Sequence, residues 1–326
     1  TVLHTLSLHD ALPISLYNIL YTIIILLKYP TLSIPFQHEI FNKKYTDVKL
    51  LEYYYNKNDT LYEIIASYTS IFYLFLPHLI LWGGPNKYFI HKDIKYYITK
   101  CMNKNSKTRF IFLKISLIVT DKSTHANILI IDKYTGIIDR FDPYGNTNIM
   151  QTCLLDNILE KKLSKILKPF MKITYLKNHI GCNFVSFQTI SNDDNIKVRK
   201  AYDPLGYCLT WCFWYLELRI NNPNIHPHDL ISFSIDKIIA SYNTNKTNYS
   251  NENEIDETYI VNAKKFNDFI RSYATSLDNE KNNLLLSFGI KQENLYDIIF
   301  DNDSQNTIVD RISKLFNNDI IKRYYE

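Results

Sequence analysis

The sequence predicts an α+β fold, a mixed sheet flanked by helices, and three observations carry that reading. Two β-branched runs, residues 109–120 (RFIFLKISLIVT) and 127–132 (NILIID), precede a Lys133-Tyr134-Thr135-Gly136 turn, and a third run returns over 137–141. Connections this short make the three strands antiparallel neighbours. Residues 208–219 (CLTWCFWYLELR) form a strong helix signal, ended by Asn221-Asn222-Pro223. With 46% hydrophobic and 14% aromatic residues over 326 positions, the chain is long and apolar enough to bury a large core.

Taken in order, residues 1–15 (TVLHTLSLHDALPIS) differ in composition from the rest of the chain: they hold no Asn, Lys or Tyr and no initiator Met. The string resembles translated sequencing-adapter read-through. It is set aside as an artefactual leader together with His4 and His9, and the true N-terminus is expected to be missing. Residues 16–82 read as a mostly helical N-terminal region, with a helix that breaks before Pro77 and a strand after it. Gly83-Gly84-Pro85 is a break, and residues 83–223 form the α+β core. Within it, a helix over 149–167 follows the three strands, then strands at 171–176 and 183–188, and a polar loop over 191–201. Residues 224–326 are a helical C-terminal region. A helix at 229–242 leads to an Asn/Ser/Glu-rich linker at 243–257, and three further helical segments come after it. No internal repeat is evident.

Composition excludes several classes. A net charge of +4 is too weak a bias to require a nucleic-acid partner. Five cysteines (Cys101, Cys153, Cys182, Cys208 and Cys212) form an odd set without framework spacing, which favours a reducing, intracellular setting. Residues 16–27 are too short to cross a bilayer, and the apolar stretch 64–82 contains Ser67, Thr69, Ser70, Pro77 and His78, so no membrane span is expected. The 26 tyrosines and 33 asparagines reflect AT-rich codons and carry no functional weight, whereas only seven glycines persist. Three of them, Gly136, Gly145 and Gly206, border the segments that carry the chemistry.

Those segments are three. Ser123-Thr124-His125-Ala126-Asn127 places His125 at the mouth of a buried strand. Arg140-Phe141-Asp142-Pro143-Tyr144-Gly145 ends the neighbouring strand, so the tight turn at Gly136 brings Asp142 within reach of the imidazole and lets it orient the ring. Asp203-Pro204-Leu205-Gly206-Tyr207-Cys208 precedes the strongest helix; Gly206 lets the backbone swing, and Cys208 occupies the first turn, where unpaired N–H groups stabilise a thiolate. Gln188 is a candidate oxyanion donor, and Asn127, two residues past His125, shares its side of the strand. Asp132 and Asp139 are rival orienters, and Cys212, amid Trp211, Phe213 and Trp214, reads as core. A zinc site from His179, Cys182, Cys208 and Cys212 is an alternative weakened by two ligands lying i, i+4 on an apolar helix; the leading reading needs no metal and no cofactor.

His at a strand start, Asp one strand later, a Gln, then Gly-x-Cys opening a buried helix is an order that resembles the clan CE cysteine proteases, which include SUMO-specific proteases and the adenovirus proteinase. HANILIIDKYTGIIDRFDPYG and DPLGYCLTWCFWYLELRINNP are similar to a branch encoded by giant viruses, over roughly residues 82–223. Ala126 stands where familiar members carry Trp, Leu209 where they carry Gly, and Tyr202 near the usual place of the Gln; Gln188 lies 20 residues before Cys208. The resemblance implies a papain-like protease core with helical additions, with Cys208 as nucleophile, His125 as base and Asp142 as orienter. It also implies a protein substrate, either a viral polyprotein or a ubiquitin-like conjugate, met in host cytoplasm or virion. An acyltransferase with the same Cys-His-acid apparatus and a catalytically inactive virion or host-interaction protein are the alternatives.

Overall fold

A computed structural model describes residues 19–35, 79–103, 107–120, 123–145, 151–177, 186–191, 207–240, 254–290, 311–312 and 314–315. The artefact-like leader, most of the second apolar stretch, His179, Cys182, Tyr202 and Gly206 lie outside these residues. The fold is mixed α+β: a seven-stranded sheet with helices on both faces.

The strands are β1 (Leu32–Ser33), β2 (Ile80–Trp82), β3 (Tyr88–Ile90), β4 (Phe110–Thr120), β5 (Ser123–Asp132), β6 (Ile137–Phe141) and β7 (Thr174–Leu176). Their order is β3-β2-β4-β5-β6-β7, with β1 also paired to β4. The predicted antiparallel β4-β5-β6 meander stands at its centre, while β1 and β2 on β4 and β7 on β6 run parallel and make the sheet mixed. β5 starts four residues earlier than its apolar run, because Ser123 to Ala126 continue the ladder onto β4, with His125 opposite Leu117. His125 therefore lies just inside a strand rather than at its mouth. The Gly83-Gly84-Pro85 break is a hairpin turn: Gly83 N donates to Lys87 O (2.7 Å), and β3 returns antiparallel to β2.

At the β5–β6 turn glycine is required. Gly136 has φ +74°, and a Cβ there would stand 1.9 Å from Lys172 O in the chain leading to β7. Its own carbonyl accepts from Thr174 N (2.9 Å), so one residue serves the hairpin and the parallel pairing beside it.

The helices are α1 (residues 19–28), α2 (Ile94–Cys101), α3 (Thr152–Leu167), α4 (Phe187–Ser191), α5 (Cys208–Asn221), α6 (Pro227–Ala240) and α7 (Glu254–Ser287). Strand alternation sends Phe110, Phe112, Ile128, Ile130 and Phe141 to one face, where they meet α1, α5 and the inner side of α7. Ile111, Leu113, Leu129, Ile131 and Ile138 go to the other face, against α2 and α3. α5 is apolar nearly all round because it is covered on two sides. Phe213 turns to Phe112 (6.3 Å between ring centroids), while Trp211 stacks on Phe269 of α7 (5.9 Å).

Two expectations need correction. Gln188 lies in the short helix α4, not on a strand: Ile190 N bonds Ser186 O (3.0 Å), and apolar alternation in VSFQ misled because the element is a single buried turn. The expected linker at 243–257 does not extend so far, since α7 begins at Glu254. α7 is a 34-residue helix, the first of the helical segments expected in this region. Its Asn- and Glu-rich start reads as linker, but its later turns bury Ala263, Phe266, Ile270 and Leu277 at helical spacing.

None of the described helices is long and apolar enough to cross a membrane; α1, from the first apolar stretch, is core.

Candidate active site

The β5–β6 hairpin brings His125 and Asp142 together as its sequence predicts. His125 Nε2 lies 2.7 Å from Asp142 Oδ1, and both side chains are buried. Asp142 is aimed by a turn of its own. Gly145 N bonds Asp142 O (2.9 Å), and Tyr144 N donates to Asp142 Oδ1 (3.0 Å). The Tyr144 ring lies against the imidazole, 4.7 Å between centroids.

Cys208 opens α5 half-buried, close enough to the His125 ring to help raise its pKa. Burial alone would lower the His125 pKa. The Asp142 charge and hydrogen bond, with smaller help from Cys208, outweigh it and carry the ring to about 10. Burial likewise opposes the Asp142 charge, but the imidazolium, Arg140 and the Tyr144 N–H hold its carboxyl below the usual range. The pairing thus favours the imidazolium form of His125 and the carboxylate form of Asp142, with Cys208 beside them. No side chain caps α5 among the described residues.

The rival residues are otherwise engaged. Cys212 Sγ donates to Ala126 O (3.4 Å), and burial pushes its thiol far up. Asp132 pairs with Arg109 (2.8 Å), and Asp139 accepts from Tyr215 Oη (2.6 Å) beside Arg219 (3.6 Å). Cys101 is buried and pushed to about 12, and Cys153 is exposed. No group of three or more His, Cys, Asp or Glu side chains is placed to hold a metal among the described residues.

Gln188 is buried and fastened to the Asp142 turn: its N–H donates to Pro143 O (2.9 Å), and Ser186 Oγ donates to Asp142 O (3.1 Å). The next-door Phe187 packs on Trp211 (5.0 Å), so α4 bridges the Asp142 turn and α5.

Asn127 does share His125's side of β5, and through it enters a network the sequence did not reveal. Arg140 Nη1 donates to Asn127 Oδ1 and stands 3.5 Å from Asp142 Oδ2. Its Nε and Nη2 fork onto both oxygens of Asp156 on α3 (2.6 and 3.0 Å). Tyr175 Oη on β7 donates to Asp156 Oδ1 (2.8 Å). Asp142 is therefore held from behind by a fully buried cation. The one available signal was a charged Asp139-Arg140 pair inside a buried five-residue strand, which demands internal partners.

No family model matches this chain, and no solved structure matches it. It is 31% identical over 184 residues to a putative ankyrin repeat protein of Acanthamoeba polyphaga mimivirus, an alignment covering 52% of this chain and 24% of that protein. The chain spans about a quarter of that relative's length. The described residues form a sheet flanked by helices rather than a stack of helix pairs.

Proposed function

We propose that the protein is a thiol peptidase of the clan CE type, with a papain-like core, that cleaves peptide or isopeptide bonds in viral precursor proteins or ubiquitin-like conjugates. The observation that carries this reading is the His125 ring bonded to the buried Asp142 carboxylate, with the Cys208 thiol at the start of α5 near enough to act on its charge. An imidazolium beside a thiol at a helix start favours the thiolate. The Cys208 sulfur attacks the scissile carbonyl, and the oxyanion is met by the Cys208 amide and by Gln188. His125 then passes its proton to the leaving amine, and water hydrolyses the thioester with His125 as base. Asp142 holds the ring throughout.

The same apparatus serves an acyltransferase if an amine or hydroxyl replaces the water. A non-catalytic interaction protein is the reading from another class, and the name of the mimivirus relative favours it, since ankyrin repeats are binding surfaces. That viral relative also supports host cytoplasm or virion as the place of action.

The reactions separate in one experiment. The protein is incubated with a proteome-derived peptide library and with ubiquitin-like proteins carrying a fluorogenic C-terminal amide, and new N-termini are counted by mass spectrometry. The expected result is turnover by the native chain and by Cys212→Ala, and none by Cys208→Ala. Turnover that survives in Cys208→Ala, or its absence from folded native protein on every substrate, contradicts the reading.

A further inference from the structure

A lysine sits in the apolar face that covers the nucleophile helix. In the β4–β5 ladder Lys114 stands opposite Ile128, on the same face as Phe112 and Ile130, and that face packs on α5. Two pairs along, Ala126 takes the Cys212 hydrogen bond, and Cys208 lies one helical turn before Cys212. The half-buried Lys114 side chain thus leaves β4 on the face that α5 covers. The charges that act on it are those of Cys208 and Cys212, and no carboxylate pairs with it among the described residues. Desolvation draws it down to about 8, which still leaves it mostly protonated at neutral pH.

We propose that Lys114 is a second cation of the site, which holds the Cys208 thiolate electrostatically from the sheet side while His125 holds it from the strand end. This rests on reading Cys208 as the nucleophile. No bond is made or broken by Lys114; its ammonium acts through the field at sulfur, and it is a positioning residue in that sense. The titratable and charged groups gathered at the thiol among the described residues are His125 from β5, Asp142 after β6, Cys212 from α5 and Lys114 from β4. A lysine placed in an apolar face without a carboxylate costs stability that an apolar side chain would recover. Function and stability therefore move in opposite directions at this position.

The test is the pH dependence of Cys208 alkylation by iodoacetamide in the full chain, read by peptide mass mapping with exposed Cys153 as internal reference. Lys114→Gln and Lys114→Met are expected to move the Cys208 midpoint upward by about one pH unit, about tenfold in thiolate fraction at fixed pH below it. Lys114→Arg restores the native midpoint, and Lys114→Met keeps or raises the melting temperature. A midpoint unmoved in the Gln and Met variants overturns the proposal while leaving the nucleophile in place. So does an Arg variant that behaves like the Gln variant. Native Cys208 that alkylates no faster than Cys153 at any pH removes both the proposal and the reading on which it rests.

Discussion

Asp142→Asn is expected to collapse the titration of His125 from about 10 to below its ordinary value of 6.5. The substitution keeps the volume and an acceptor for Nε2 but deletes the charge, so the desolvation that opposes the imidazolium is no longer outweighed. At pH 7 the ring becomes neutral, and the thiol loses its neighbouring cation. Reactivity of Cys208 toward a peptide electrophile should fall by about 10²–10⁴, the range in which removal of a triad carboxylate acts. The sign of the stability effect comes from the same shifts. A raised His125 pKa contributes stability fully present below about 6.5 and lost as pH rises through about 10. The depressed Asp142 contributes above its usual value and loses this as pH falls. The native protein is therefore expected to lose more stability between pH 7 and 10 than Asp142→Asn does. The imidazole proton resonances followed by NMR across that range give the midpoint directly; a His125 midpoint unmoved by the substitution would contradict the pairing.

The second large effect falls on Arg140, which touches neither the thiol nor the imidazole. Arg140→Leu strips the buried Asp156 carboxylate of the guanidinium that forks onto both its oxygens, and it removes the cation behind Asp142. Breaking a buried pair from one side costs about 3–5 kcal/mol. In a chain of this size that corresponds to a fall in melting temperature of about 10 °C. Arg140→Lys should recover only part of the loss, because an ammonium cannot fork onto both oxygens of Asp156 while also reaching Asn127. Calorimetry of the three proteins tests this; a Leu variant within about 2 °C of native would mean that the network is idle.

The two substitutions also mark what sequence alone can reach. His125 and Asp142 were legible because a hairpin is a local structure: β-branched runs fix the strands, Gly136 fixes the turn, and the rest is register. Cys208 was legible for a chemical reason, as a thiol in the first turn of a helix too apolar to lie on a surface. Arg140 and Lys114 were not, since their meaning depends on Asp156 and Cys208, which reach them from α3 and α5 across the sheet. Each is visible in sequence only as a charge interrupting an apolar strand, IIDRF and FIFLKISLIVT, a sign that a partner exists but not which. Gln188 illustrates the opposite failure. The sequence offers it as an oxyanion donor after a strand, and its element was misjudged because one turn of helix and one short strand carry the same apolar spacing at that length. α7 reaches back into the polar stretch that argued for a linker, while its cover from Trp211 and Trp214 falls further along, on Phe269.

Everything proposed for the site depends on Cys208, and not the buried Cys212 one turn further on, being the activated nucleophile. Peptide and ubiquitin-like electrophile probes applied to the native chain, Cys208→Ala and Cys212→Ala measure this most directly. The expected result is a stoichiometric adduct mapped to Cys208 in the native and Cys212→Ala proteins, and none in Cys208→Ala. Labelling lost only in Cys212→Ala, or equally weak in all three, would contradict it.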